Sequence, residues 1–160
     1  MVTVFRVKLE GMRGIFIHIA GLVLLLFAAG CAAEPPYLPV DPVGQTVVID
    51  TAALSEKTPL FYRMPVSGTE VIFFVVKVDG AMESYFNRCA ACKSKKLGYF
   101  ADGQYVICRV CNDRLPVDKL KEGFGSCYPF HLPGRSVGGK GAEKYVIEKE
   151  DVRKGRKYFE

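Results

Sequence analysis

The sequence contains no tryptophan and only two histidines, His18 and His131, among its 160 residues. With so little histidine there is no Ser–His–acid set for hydrolysis, and the acidic residues are scattered, with no pair assignable to one face. The chain therefore reads as a binding or carrier protein rather than an enzyme. No large charge excess exists either: the formal charge is +5, of which residues 1–30 supply +2. The remaining charges alternate in sign, as in EKYVIEKEDVRKGRKYFE, which argues against nucleic acid as a partner. Nor is there an intact phosphate loop. GRSVGGKG, residues 134–141, lacks the Ser or Thr that must follow its lysine to hold magnesium, so no nucleotide is expected and a glycine hairpin loop is the better reading. No apolar run reaches the twenty or so residues of a bilayer span.

The longest apolar run, Ile15 to Gly30, follows the basic residues Arg6, Lys8 and Arg13 and ends at Cys31. That order is the layout of an export signal. The small residues Ala28, Ala29 and Gly30 ahead of Cys31 resemble a bacterial lipobox, which places a lipid on Cys31 and the rest of the chain outside the cytoplasmic membrane. An uncleaved anchor helix is the alternative and puts the domain on the same side. Three segments follow: residues 1–30 as a lipoprotein-type signal, 31–44 as the lipidated cysteine with a proline-rich tether, and 45–160 as the folded domain. Met12 is a second candidate start.

From Gln45 the pattern is that of short strands, and the expected fold is a small, mainly β (β-rich α+β) domain. QTVVID, EVIFFVVKVDG, QYVIC and KYVIE are the clearest strands, and Asp79-Gly80 reads as a hairpin turn. Helix is limited to a turn or two near Leu54 and Pro116, and a short C-terminal segment with Gly155 against it.

Five cysteines follow Cys31: Cys89, Cys92, Cys108, Cys111 and Cys127. The first four form two Cys-x-x-C units, the spacing of zinc-ribbon or rubredoxin-like sites. Each such turn aims two thiolates at one point while the following amides donate hydrogen bonds to sulfur. Two knuckles on hairpins complete a tetrahedron suited to zinc, a single iron or an iron–sulfur cluster. Asn112 suits the left-handed turn after its knuckle better than Lys93 suits the other. Lys93, Lys95 and Lys96 partly offset the thiolate charge. The next residues being Lys93 and Asn112 rather than histidine, covalent c-type haem is not expected. Disulfides remain the competing outcome, because export leads to an oxidising compartment. Cys127, in GSCYPFHLPG, is either a fifth ligand, a redox partner or a buried small residue; His131, four residues on, is the weaker ligand candidate.

The segments FFVVKVDGAMESYFNRCAAC, LGYFADGQYVICRVCNDRLPVDKL and GSCYPF resemble the membrane iron–sulfur containing, FtrD-like family, and the flanks extend the likeness over most of residues 45–160. The resemblance implies an extracytoplasmic, membrane-associated domain that serves iron uptake or electron transfer together with a protein partner. It also implies that all five cysteines carry the site. The chain departs from the family where Lys93 and Asn112 stand in place of glycine and Tyr128-Pro129 in place of Asn-Pro. Iron or an iron–sulfur cluster is then the expected cofactor, with zinc the alternative. A structural zinc-ribbon interaction domain and a thiol–disulfide redox protein or metallochaperone are the competing functions.

Overall fold

The computed structural model describes residues 37–122, 126–138 and 144–160. The signal segment, Cys31 and the start of the tether lie outside them. Eleven strands are described: β1 (Leu38–Pro39), β2 (Thr46–Asp50), β3 (Leu60–Val66), β4 (Thr69–Val78), β5 (Ala81–Cys89), β6 (Tyr99–Asp102), β7 (Tyr105–Cys108), β8 (Arg114–Pro116), β9 (Pro129–His131), β10 (Arg135–Val137) and β11 (Lys144–Glu148). One short helix, α1 (Lys149–Lys154), runs into a 3-10 turn over Gly155–Tyr158. The domain is thus mainly β, as its strand-rich composition led us to expect.

The strands form a five-stranded sheet in the order β1-β3-β4-β5-β9 and two three-stranded sheets, β10-β11-β2 and β6-β7-β8. Hairpins build the large sheet. Asp79 and Gly80 both have positive φ, 51° and 81°, and join Val78 to its partner Ala81. Ser67 and Gly68 do the same between Val66 and Thr69, with φ of 48° and 84°. Positive φ at both central residues is what a two-residue turn needs to match strand twist.

β4 is the middle strand and is buried on both faces, which explains its unbroken apolar run. Its alternation divides the protein in two. Val71, Phe73 and Val75 join a core with Val47, Ile49 and Tyr145 of the β10-β11-β2 sheet and with Val152 and Phe159 of the C-terminus. Phe74, Val76 and Val78 join a second core with Tyr99, Val106 and Leu115 of the β6-β7-β8 sheet, and with three cysteines.

One difference from the sequence expectation lies at the edge of the large sheet. Leu38 and Pro39, expected in the tether, pair in parallel with Tyr62 and Arg63 at the edge of the large sheet. An edge strand is where proline, which has no amide donor, can be accommodated. Gly155 ends the α-helical part of the C-terminus as expected, and it has a packing reason as well: a Cβ there would overlap the ring of Phe86. β10 and β11 pair antiparallel on either side of the glycine-rich segment, whose residues 139–143 lie outside the described ones. Among the described residues no helix is long and apolar enough to cross a membrane.

Candidate metal centre

Each Cys-x-x-C begins where a strand ends. β5 terminates at Cys89 and the chain turns through Cys92 into a 3-10 turn over Lys93–Lys95; β7 terminates at Cys108 and turns through Cys111. The second turn closes tightly. Asn112 takes φ of 59°, its amide donates to the Cys108 carbonyl at 2.9 Å, and the Cys108 amide donates to the Asp113 carbonyl at 3.1 Å. A short polar side chain tolerates this left-handed conformation, as its identity suggested. The first turn is longer and reaches positive φ only at Lys96, at 56°. Lys93 therefore does not have to adopt the conformation that glycine would favour.

The third thiol-bearing segment arrives from the far side of the large sheet. The Ala90 amide donates to the Tyr128 carbonyl at 2.9 Å, and Cys89 is paired with Pro129 across β5 and β9. The register shifts between Tyr85 and Cys89, an irregularity of the kind that re-aims side chains beside functional sites. Cys127 is brought by this pairing against both knuckles. Its Sγ lies 3.4 Å from that of Cys89 and 3.6 Å from that of Cys111.

The five sulfurs form two overlapping groups. Cys89, Cys108 and Cys127 make a buried group, and Cys92, Cys108 and Cys111 an outer one, with the sulfurs of each group all within 4.8 Å of one another. Cys108 belongs to both. Asp113 extends the cluster outward beside Cys111, with Cys111 Sγ donating to its Oδ2 at 3.3 Å. Cys111 is exposed, Cys92 half-buried and the other three buried. Cys127 is thus a full member of the thiol cluster rather than only a small packing residue. His131 stands apart: it meets the ring of Tyr85 edge-on and lines a cleft of about 560 Å³ with Tyr128 and Phe130, among others. It belongs to none of these groups.

Three residues that sequence reasoning did not single out hold the cluster in place. Asn87, fully buried, accepts the Tyr99 amide on Oδ1 at 2.6 Å and donates from Nδ2 to the Tyr99 carbonyl at 3.4 Å, tying β5 to β6. Gly98 sits so close that a Cβ would come within 2.6 Å of the Asn87 carbonyl oxygen, and its own carbonyl accepts the Arg109 amide at 3.0 Å. The two knuckles are therefore clamped through Asn87 and Gly98. Tyr99, also fully buried, points its hydroxyl at the sulfurs, 3.9 Å from Cys127 Sγ. Nothing in the spacing of an Asn and a Tyr around paired cysteines signals this contact from sequence.

The electrostatics are those of crowded thiols. Burial raises the Cys89 thiol, but hydrogen bonds from the Tyr99 hydroxyl, the Cys92 and Ala91 amides and the Cys127 thiol outweigh it, so Cys89 lies below the ordinary thiol range. Desolvation and then the Cys89 neighbour push Cys92 up to about 12. Burial likewise raises Cys127 and Cys108, although the Cys111 and Val110 amides act against it at Cys108. One thiolate thus forms readily and holds protons on its neighbours. A cation among the sulfurs removes that repulsion, and the amide donors at Cys89 and Cys108 are those a metal-bound thiolate uses. The donor set, five thiols and one carboxylate in overlapping groups of three, fits zinc or iron.

A model of the FtrD-like family, described as membrane iron–sulfur containing proteins, matches residues 54–159. The chain belongs to this family. A search of curated proteins finds no match. The matched span includes all five clustered cysteines, Asn87 and Tyr99.

Proposed function

We propose that this protein is a membrane-anchored, extracytoplasmic carrier whose clustered thiolates hold iron, as a single ion or a cluster, for electron transfer or iron uptake. The observation that supports this most is the gathering of two Cys-x-x-C turns and a fifth cysteine into overlapping groups, with amides already donating to Cys89 and Cys108. Cys89, Cys92, Cys108, Cys111 and Cys127 are the residues that would hold the metal. Iron held there supplies one-electron chemistry, with a potential set by hydrogen bonds to sulfur and by solvent access.

The chain's own residues divide that work. The buried thiols and Tyr99 keep water from the inner side of the site. Exposed Cys111 and its neighbour Asp113 give a partner access from outside. We read the role as carriage rather than catalysis on a small substrate. The lipid on Cys31 would keep the domain at the membrane, and a Cys31→Ser variant should then leave the membrane fraction.

A single structural zinc is the second reading; the tightness of the cluster favours one tetrahedral ion, zinc or iron, over an iron–sulfur cluster. Sulfurs around one tetrahedral ion at about 2.3 Å from the metal are roughly 3.8 Å apart. The 3.4 and 3.6 Å contacts of Cys127 are near that spacing. Ligands on different irons of a cluster sit farther apart, because irons and sulfides lie between them. Metal analysis with a visible spectrum on protein purified without oxygen decides among these. Colour with iron supports the carrier, and colourless protein with zinc supports the structural site. Cysteines paired as disulfides without metal would reject both in favour of thiol redox.

A further inference from the structure

Many described cations of this domain have a carboxylate partner: Lys57 with Asp118, Arg63 with Glu70, Arg114 with Asp102, Arg135 with Glu148 and Lys154 with Asp151 are examples. At the rim of the thiol cluster, lysines without one gather. Lys93, Lys95 and Lys96 follow directly on half-buried Cys92 and are all exposed, as is Lys157. None of the four pairs with a carboxylate among the described residues. Lys93, Lys96 and Lys157 line one open cleft of about 500 Å³ with Ser94, Tyr158 and Glu160. The single carboxylate there is already engaged, because Glu160 pairs with Arg156. Beside the lysines Leu97 is 53% exposed, one of the few large apolar side chains left in solvent.

The backbone holds this rim in a defined shape. The Lys95 amide donates to the Cys92 carbonyl at 3.0 Å and the Lys96 amide to the Lys93 carbonyl at 3.1 Å. The lysines are therefore presented from a turn built on the metal knuckle itself. Offsetting the thiolate charge accounts for some of the positive potential. It does not account for Lys157, which comes from the C-terminal turn to the same cleft, nor for an exposed leucine among the charges.

We propose that Lys93, Lys95, Lys96, Lys157 and Leu97 form the docking face for an acidic protein partner, which meets the thiol cluster at its exposed Cys92–Cys111 edge. This rests on the carrier reading for its purpose but not for its existence. Unpaired charge of one sign around a reactive edge steers a partner of opposite sign and sets its orientation. An apolar side chain within the charged ring supplies the water-excluding contact such faces use. A membrane surface is the poorer occupant: the patch is narrow and includes a carboxylate, and lying flat on lipid would close the edge through which exchange must occur.

The test uses the full chain in detergent micelles, with fluorescein-labelled polyglutamate as the acidic probe. Two double variants carry the same change in charge: Lys95→Glu/Lys96→Glu in the rim, and Lys119→Glu/Lys144→Glu elsewhere. Wild type should bind polyglutamate with an affinity that falls as salt rises, and the rim variant should lose about tenfold or more. The control variant should lose little, and melting temperature and metal content should be unchanged in both. In the protein as purified, bound polyglutamate should also slow acetylation of Lys93 and Lys157 more than that of Lys119 and Lys144, read by mass spectrometry. That readout does not depend on which metal the thiols hold, so failure of the carrier reading and failure of the docking face are distinguishable. Equal weakening in both variants, or equal protection of both sets of lysines, overturns the proposal. Citrate displacing polyglutamate at equal carboxylate concentration overturns it in favour of a small anion. Rim-dependent binding to phosphatidylglycerol vesicles that exceeds binding to polyglutamate overturns it in favour of a membrane surface.

Discussion

Alternate side chains of β4 serve two different kinds of interior. On one face Val71, Phe73 and Val75 meet a sheet and a helix, and the space is filled by aliphatic and aromatic groups. On the other, Phe74, Val76 and Val78 meet a small three-stranded sheet that ends in cysteines. The first face is closed by area removed from water, which needs no particular partner. The second has strands of four, four and three residues, which is little apolar surface for a sheet. Beside its buried apolar residues this face carries the thiols and the Asn87 clamp. The same strand thus separates an interior filled by apolar groups from one that mixes them with clustered thiols.

The largest expected effect comes from breaking the thiol face at its shared member. Cys108→Ser should abolish metal binding and destabilise that face severely. Metal-binding energy is folding energy in such sites, of the order of 10 kcal/mol in zinc-finger peptides. Metal analysis with thermal melting checks this, and full metal content with an unchanged melting temperature breaks the comparison. Phe73→Ala strikes the packed face instead. It should cost about 3–5 kcal/mol while the folded fraction keeps its full metal content. Denaturant titration and metal stoichiometry read the two halves separately.

Asn87→Ala tests the clamp between β5 and β6. A buried Tyr99 amide left without its acceptor costs about 1–3 kcal/mol. The loss should also appear as faster metal release to a chelator, which a mutation in the packed core would not cause. Release at the wild-type rate would show that the knuckles hold their positions without Asn87. Tyr99→Phe should be the mildest in stability, roughly 1 kcal/mol, because ring packing is retained. It removes a donor that lowers the Cys89 pKa, so thiolate in the metal-free protein should form at higher pH. Thiolate absorbance against pH checks the sign, and a shift to lower pH would rule out donation from Tyr99 to Cys89.

Much of the strand pattern was legible in advance. β2, β4, β7 and β11 announce themselves by β-branched and aromatic runs, and Asp79-Gly80 by turn chemistry. β3 and β5 were less visible. Pro65 sits inside β3, and β5 is interrupted by Glu83, Asn87 and Arg88. Asn87 and Arg88 are buried nonetheless, because each finds partners only in the folded chain. Arg88 lies over the Phe159 ring and donates to the Tyr158 carbonyl at 3.2 Å.

The amino-acid sequence by itself determined the two knuckles. A Cys-x-x-C turn is built from a few consecutive residues, and the left-handed Asn112 that closes the second one follows from its own short side chain. Only the tertiary structure decided that Cys127 joins them, that Asn87 and Gly98 lock them together, and that Tyr99 points into the sulfurs. These contacts link residues 11 to 38 positions apart, and they follow from the pairing of β9 with an irregular β5 and the packing of one small sheet under another. Local geometry depends on neighbouring residues, whereas the register and stacking of sheets depend on how whole faces bury one another.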